Sequence, residues 1–295
     1  SKVGKLNYTL GMGALRTFYK QGNTSQEKYF FRPTLNLSYS LGKVFLRYNA
    51  SMSGYAPSLS ALSNVEQSMD AYQVRRGNPN LKSVTYFTNR LSASYRNKWM
   101  NVDMSARYSY DDKPIMEETI YEDGKFVRTY ANQKGLHRLM CQTSIQIRPF
   151  KEYLSINMTP FFNRYISQGN AYLHTHSNWG FRGSIVGMYK QWVFMADMNT
   201  SYHDLEGETI TKGETYHTIA LGYNKEKWAI QMLVWNPFTD DYHQGVENVS
   251  KLAPNRQLAF SKDFTRMVML NVSFSLSFGK QKQMARKRIE NSDTY

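Results

Sequence analysis

Two histidines with one residue between them, His174 and His176, have a spacing that could serve metal binding. In an extended segment, residues two apart project to the same side, and imidazole nitrogen is a common zinc ligand. A closed structural zinc site needs four ligands, and the sequence places no third ligand beside this pair. We therefore predict no metal site and no cofactor.

A second possible chemistry is nucleophilic catalysis, which needs a serine, a histidine and an orienting polar group on one face of the fold. His137 and His217 lie on or beside alternating apolar segments, but no serine is marked out next to either residue. His217 also shares the register of the apolar Ile219, which predicts a side chain on the apolar face of its strand. Lone Cys141 excludes an intrachain disulfide. We predict that there are no catalytic residues and that the chain is not an enzyme.

Ligand binding is the third possibility, because two long polar connections combine aromatic, charged and amide side chains as small-molecule sites do. The residues predicted to contact a ligand are Tyr72, Arg75, Arg76, Asn78 and Asn80 in the first connection, and Trp235, Asp240, Asp241, Tyr242 and His243 in the second. What these residues do depends on the elements that hold the two connections.

The clearest of those elements is residues 267–278, where every second residue from Val268 to Phe278 is large and apolar. This period of two predicts a β-strand with one apolar and one polar face. Its length, about eleven residues, is what a tilted strand needs to cross a hydrocarbon core. The Ser and Asn residues of the polar face suit a water-filled lumen behind a lipid-facing wall.

The same period recurs in about twelve segments, and the connections between them alternate between short and long. Short turns occur at residues 41–43, 97–98, 148–151, 190–191 and 224–227, and much longer connections at 55–82, 111–135 and 236–266. The connection at 111–135 contains Asp123-Gly124, which predicts a hairpin of its own. Tight turns on one side and long loops on the other are typical of outer-membrane β-barrels.

Aromatic and basic residues gather at the short-turn edge. The aromatic ones are Tyr39, Phe45, Tyr95, Trp99, Phe150, Tyr153, Tyr189, Trp192, Tyr223, Trp228 and Phe278. Such rings favour the boundary between hydrocarbon and water. The net charge of +14 is spread over turn tips and a C-terminal cluster. It therefore indicates contact with lipid phosphates and no nucleic-acid partner.

Together these patterns predict an all-β fold, an antiparallel up-and-down transmembrane β-barrel with about twelve strands in this chain. Mean hydropathy is −0.59, and no run of about eighteen apolar residues predicts a transmembrane helix. Charged residues predicted to point inward are Arg47, Asp103, Arg107, Arg148, Arg182 and Asp197. They suit the lumen of a passive porin and equally a wall around a plug.

Three motifs of the first long connection are Pro57-Ser58-Leu59, Leu62-Ser63-Asn64 and Gly77-Asn78-Pro79-Asn80-Leu81-Lys82. With the closing strand Asn-Val-Ser-Phe-Ser-Leu-Ser-Phe-Gly-Lys at 271–280, they make the chain resemble the C-terminal half of the β-barrel of a TonB-dependent outer-membrane receptor. The resemblance implies a 22-stranded barrel around an N-terminal plug. It also implies energy from the TonB complex acting through that plug, and import of a bulky nutrient such as an iron chelate, a cobalamin-like cofactor or a glycan.

The resulting prediction assigns residues 1–280 to the C-terminal part of a barrel in the cell outer membrane and residues 281–295 to a basic periplasmic tail. The expected partners are outer-membrane lipid, the plug and remaining strands, the TonB complex and the nutrient. About twelve strands are visible in the sequence, and no plug domain is visible. The alternative is therefore a shorter barrel whose strands close on themselves. Its function would be that of a 12-stranded porin-like channel or an outer-membrane lipase-type enzyme.

Overall fold

Strands dominate the computed structural model, which describes residues 2–3, 5–21, 24–239, 242–261 and 265–276. The strands are β1 (Lys2–Val3), β2 (Leu6–Gly11), β3 (Ala14–Gln21), β4 (Thr24–Phe31), β5 (Thr34–Leu41), β6 (Val44–Tyr55), β7 (Gln67–Ser68), β8 (Gln73–Arg75), β9 (Val84–Arg96), β10 (Met100–Asp112), β11 (Ile115–Glu122), β12 (Lys125–Asn132), β13 (Gly135–Ile147), β14 (Leu154–Gln168), β15 (Leu173–Tyr189), β16 (Trp192–Asn199), β17 (His203–Glu206), β18 (Thr209–Lys212), β19 (Tyr216–Asn224), β20 (Trp228–Trp235), β21 (Tyr242–Asn248), β22 (Asn255–Ser261) and β23 (Met267–Phe274).

Helix is confined, within these ranges, to the short α1 (Leu59–Leu62). No helix in the described part of the chain is long and apolar enough to span a membrane. Phe278 and the predicted basic tail, 281–295, lie outside the described residues.

Thirteen strands form one antiparallel main sheet in the order β1-β2-β5-β6-β9-β10-β13-β14-β15-β16-β19-β20-β23. Twelve of them are the predicted strands, and β1 adds two residues paired with β2. Neighbours in the sheet follow chain order, as in the wall of an up-and-down barrel. No pairing between the described residues joins β1 to β23. The sheet is therefore open here, whereas a self-contained twelve-stranded barrel requires closure.

The two faces of the main sheet differ as predicted. Met104, Leu270 and Phe274 lie on the outer face, where they are 52%, 69% and 70% exposed, and do not meet in a dry interior. Such a face suits lipid. One predicted girdle residue is wrong: Phe45 pairs with Ser40 and Ser94, on the inner face. The apolar Val44 and Leu46 take the outward positions on either side of it.

Polar residues low on the inner face hydrogen-bond to one another across neighbouring strands. The Asn101 amide donates to Gln146 Oε1 (3.1 Å), the Gln146 amide to Asn157 Oδ1 (3.0 Å), and the Asn157 amide to Ser184 Oγ (3.0 Å). We call these four residues the lower amide ladder. It joins β10, β13, β14 and β15 at one height, and its side chains satisfy much of each other's hydrogen-bonding capacity.

The long connections fold into two further sheets. The first loop sheet has the order β11-β12-β8-β7, and the second loop sheet β17-β18-β21-β22. The hairpin predicted at Asp123-Gly124 is confirmed, because both residues have positive φ (49° and 78°) between β11 and β12. A separate hairpin of β3 and β4 prolongs β2 and β5.

The Gly77 to Lys82 motif has a structural role in the first long connection. A Cβ on Gly77 would lie 2.4 Å from the Ala61 carbonyl oxygen, so only glycine permits this close approach to the end of α1. Asn78 Oδ1 accepts from the Asn80 amide at 2.9 Å, and its own amide donates to the Tyr130 carbonyl at 3.0 Å. Leu81 completes a small core with Ala61 and Leu62.

Candidate functional site

The inner face of the main sheet contains an open cavity of about 350 Å³ near the outer ends of β6, β9, β10, β13 and β14. We call it the upper lumen cavity. It is lined by Tyr55, Tyr86, Thr88, Arg107, Ser109, Asp111, Arg138, Met140, Tyr165, Tyr202 and Asp204. Alternation places these strand residues on one side of the wall. Aromatic rings with a few charged groups in a concave surface are what small-molecule sites offer.

The two arginines of this cavity differ in their partners. Arg138 donates to Asp111 Oδ2 at 2.6 Å, and Asp111 is only 4% exposed, so this pair compensates its own buried charge. No ion pair of Arg107 occurs among the residues that the structure describes. Arg107 therefore offers its guanidinium to an anionic ligand.

Two tyrosines of the cavity join the barrel wall to the segment that leads into the second loop sheet. Tyr165, which is buried in β14, and Tyr202, which precedes β17, share a hydrogen bond between their hydroxyls at 2.8 Å. The Tyr202 ring also lies 6.0 Å from that of Phe161, over which the Arg182 guanidinium sits at 5.3 Å. Any displacement of the second loop sheet would therefore move one wall of the upper lumen cavity.

The two loop sheets are docked on each other through buried contacts. Glu208, in the turn between β17 and β18, accepts from the Thr119 amide of β11 at 2.9 Å. Ser167 of β14, in the main sheet, donates its Oγ hydrogen to the Gly207 carbonyl at 2.8 Å and so fixes the same turn to the barrel wall. The Gly207 amide in turn approaches the Met116 sulfur at 3.3 Å. Because these groups are buried, separating the sheets would leave them without partners unless water entered.

The histidine pair His174 and His176 lies at this junction. His176 Nε2 is 2.9 Å from His203 Nδ1 with the rings stacked, which ties β15 to β17. His174 stacks instead on Tyr172, with its Nε2 3.9 Å from Glu208 Oε1. Burial lowers the pKa of His203, and the neighbouring His176 and a lysine add to this. No group of three or more His, Cys, Asp or Glu side chains in the described ranges is placed to hold a metal ion.

The other two histidines considered for catalysis have different partners. His137 Nδ1 lies 2.8 Å from the hydroxyl of Tyr108. His217 accepts from the Phe238 amide at 2.8 Å, and its ring stacks on that phenyl ring. Neither contact resembles the pairing of a nucleophilic serine with its base.

Of the ligand residues predicted in the first connection, three hold the first loop sheet together. Arg75 donates to the Tyr130 hydroxyl at 2.7 Å, and Arg76 contacts the carboxylates of Glu66 and Glu122. Asn78 makes the hydrogen bonds of the Gly77 to Lys82 motif, to the Asn80 amide and the Tyr130 carbonyl. Tyr72 is 71% exposed, and Asn80 donates its backbone amide to Asn78. Contact of Tyr72 and Asn80 with a ligand stays a prediction.

The other predicted ligand residues lie at or just before the connection at 236–266. Trp235 ends β20 and stacks on Tyr216 with ring centroids 5.0 Å apart. Asp240 and Asp241 lie outside the described residues. Tyr242 and His243 begin β21, where they pair with Ser261 and Phe260. Of these five residues, Trp235 is the one whose side chain the structure describes, and it does not line the upper lumen cavity. Contact of the other four with a ligand stays a prediction.

Apart from Arg107, which the strand register placed in the lumen, the residues of that cavity were not singled out from the sequence. A usable signal was present, because Arg107, Asp111 and Arg138 occupy polar positions of alternating strands near their long-loop ends. What the sequence lacked was the pairing of β10 with β13, which places Ser109 opposite Arg138. Tyr202 belongs to a connection without a strand period, so no pattern marked it.

Comparison with known proteins agrees with this architecture. A family model described as the outer membrane protein beta-barrel family matches residues 1–278. No curated protein sequence matches the chain. A family of outer-membrane barrels favours the prediction that the chain is not an enzyme.

Solved receptor structures have the same fold. The siderophore receptor PirA of Pseudomonas aeruginosa superposes with a TM-score of 0.59 at 13% identity, over 90% of this chain and 46% of that chain. The FrpB iron transporter of Neisseria meningitidis gives 0.61 at 9% identity, over 92% and 44%. A mutant of the ferric enterobactin receptor PfeA of Pseudomonas aeruginosa gives 0.55 at 13% identity, over 81% and 38%. The chain thus spans less than half the length of these receptors.

Proposed function

This chain belongs to the outer membrane protein beta-barrel family, and from that premise we propose that it forms the C-terminal barrel wall of a TonB-dependent receptor. Such a receptor would import a bulky nutrient across the outer membrane. The fold shared with three iron-uptake receptors supports this proposal. So does the open sheet, since further strands would complete the barrel and a plug would fill its lumen.

The upper lumen cavity is the observation that carries the proposal. It combines four tyrosines with the guanidinium of Arg107, which forms no ion pair within the described part of the chain, and the contacts of Tyr202 connect it to the outer loops. Arg90 and Arg182 lie on the same inner face, which adds positive potential. This chemistry suits an anionic chelate with aromatic or hydroxyl groups better than a neutral glycan. We therefore place an iron chelate first among the three nutrient classes.

The docked loop sheets supply the second part of the proposed mechanism. A ligand entering from outside would pass between these loops before it reached the cavity. Tyr202, whose hydroxyl is bonded to the buried Tyr165, would offer a hydroxyl group, and Arg107 would donate charge-assisted hydrogen bonds to anionic oxygens. The lower amide ladder below the cavity has little free capacity, so it would present a smooth polar surface to a plug.

Uptake by cells tests the function as a whole. Cells carrying or lacking the natural full-length protein are given iron-55 chelates, labelled cobalamin or a labelled oligosaccharide, with and without a protonophore. We expect iron uptake that requires both the protein and the proton-motive force. Uptake that persists unchanged under the protonophore would instead indicate a passive channel.

A pair of substitutions tests the site. Arg107→Gln removes the unpaired cavity charge, and we expect it to weaken binding of the transported chelate by about 10- to 100-fold, the usual range for a charge-assisted hydrogen bond. Arg47→Gln is the matched control, because Arg47 also lies on the inner face but contacts Phe45 outside the cavity. Binding by titration calorimetry that drops equally in both variants would refute the assignment of the cavity.

A further inference from the structure

A groove on the outer face of β16, β19 and β20 lies close to the short-turn edge of the wall. Its volume is about 440 Å³, and it is lined by Trp192, Leu221, Tyr223, Trp228, Ile230 and Met232. All six residues occupy outward positions, since Trp192 pairs with Tyr223, and Leu221 with Met232. The rings of Trp192 and Trp228 lie 4.9 Å and 5.5 Å from that of Tyr223, which stiffens the lower wall of the groove.

Three lysines flank this groove on two turns that touch. The Asn224 amide donates to the Gln191 carbonyl at 2.8 Å, which brings turn 190–191 against turn 224–227. Lys190, Lys225 and Lys227 are exposed there. Lys225 Nζ lies 6.0 Å from the Trp228 ring, and Lys190 Nζ 5.4 Å from the Tyr189 ring. The one acidic residue in these two turns is Glu226, so the cluster has a net charge of +2.

We propose that this groove, which we call the turn-edge groove, binds one anionic phospholipid of the leaflet on the short-turn side. Its acyl chain would lie between the aromatic walls, and its phosphate would contact the ammonium groups of Lys190, Lys225 and Lys227. Two observations select this occupant. The groove is continuous with the lipid-facing wall, and the adjacent lysines complement a negative headgroup at the height where a bilayer places it.

The geometry distinguishes a site from a general attraction to the membrane. Lysines near a charged bilayer each add attraction wherever they sit. Here they flank a concave apolar surface whose aromatic rings pack on one another. An acyl chain bound in this groove therefore makes more van der Waals contacts than it would on a flat wall. The site therefore depends on both charge and shape, and the two can be removed separately.

Native mass spectrometry of the natural full-length protein, purified in mild detergent, provides the test. Phosphatidylglycerol and phosphatidylcholine are titrated in parallel. The charge variant is K190Q/K225Q/K227Q, and its control is K43Q/R96Q/K98Q, three cations on another pair of touching turns. The shape variant is Met232→Trp, which fills the groove without a change of charge.

We expect the first bound phosphatidylglycerol to be weakened at least tenfold in the charge variant and in the shape variant, and less than twofold in the control. Phosphatidylcholine should bind the original protein at least tenfold more weakly. Equal losses in the charge variant and its control would overturn the proposal in favour of diffuse attraction. Unchanged phosphatidylglycerol binding in Met232→Trp would refute the groove as the lipid site. A protein dimer that Met232→Trp disrupts would also refute it, because a second copy of the chain would then occupy the groove.

Discussion

Gly207, at the junction of the two loop sheets, permits a sharp test of how the outer loops are held. Its φ of +62° is left-handed, and a Cβ there would lie 2.7 Å from the Glu117 carbonyl oxygen. Gly207→Ala would therefore cost about 1 kcal/mol for the backbone conformation. It would also push the two loop sheets apart beside the buried hydrogen bond from the Thr119 amide to Glu208. Leaving that buried pair unmade costs roughly 1–3 kcal/mol more.

Gly124 is the matched control, because its φ is +78° but a Cβ there would meet nothing within 4 Å. Gly124→Ala therefore has the backbone cost alone, in the β11–β12 turn. The difference between the two variants, about 2 kcal/mol, corresponds to roughly 30-fold faster opening of the docked sheets. Hydrogen exchange of the backbone amides in β11 and β17 measures it. Exchange in Gly207→Ala within threefold of that in Gly124→Ala would refute the docking.

Three further outcomes follow from the same contacts. Asp111→Ala should lower the free energy of unfolding by about 1–3 kcal/mol, because the Arg138 charge loses its partner; chemical denaturation of the refolded protein measures this. The pKa of His203 is lowered in the folded protein, so its contact with β15 should be fully stable above pH 6.5 and weaken below it. The protection factors of the β17 amides, which correct for the slower intrinsic exchange at low pH, should be smaller at pH 5.5 than at pH 7.5, and this difference should be absent in His203→Gln. Met104→Arg on the lipid face should cost roughly 2–4 kcal/mol of barrel stability and reduce assembly in cells, whereas Ser105→Arg in the lumen should not.

The wall of the barrel was predictable because each lipid-crossing strand has to satisfy the same constraint. One face must be apolar and the other may be polar, so the pattern repeats in every strand and the short turns mark one edge. Leu270 and Met104 are outward for this reason alone. The constraint weakens at the edge itself, where water is close, and there the expectation for Phe45 failed. An aromatic residue next to a turn can stack on Arg47 inside the lumen at little cost.

The loops and the cavity were less predictable because their contacts join residues far apart in the chain. Glu208 meets Thr119 across 89 positions, and no local pattern signals that pairing. Composition indicated which connections contain ligand-like residues, and what the sequence did not show is that Arg75 and Arg76 also hold the first loop sheet together. An arginine in a polar loop can bind a ligand or a neighbouring carboxylate, and only the fold distinguishes these uses.

The distribution of satisfied and free polar groups along the lumen points to where a ligand would be held. Low in the wall, Asn101, Gln146 and Asn157 bond to one another across the strands, so an incoming molecule finds few open partners. Higher up, Arg138 is paired with Asp111, whereas Arg107 has no ion pair among the described residues. Arg107 faces Arg90 across β9 and β10, a pairing of like charges that weakens the wall unless an anion comes between them. A structure that only had to stand in the membrane would gain from an acidic residue at either position. This pairing of like charges supports the proposed binding of an anionic ligand at this level of the lumen.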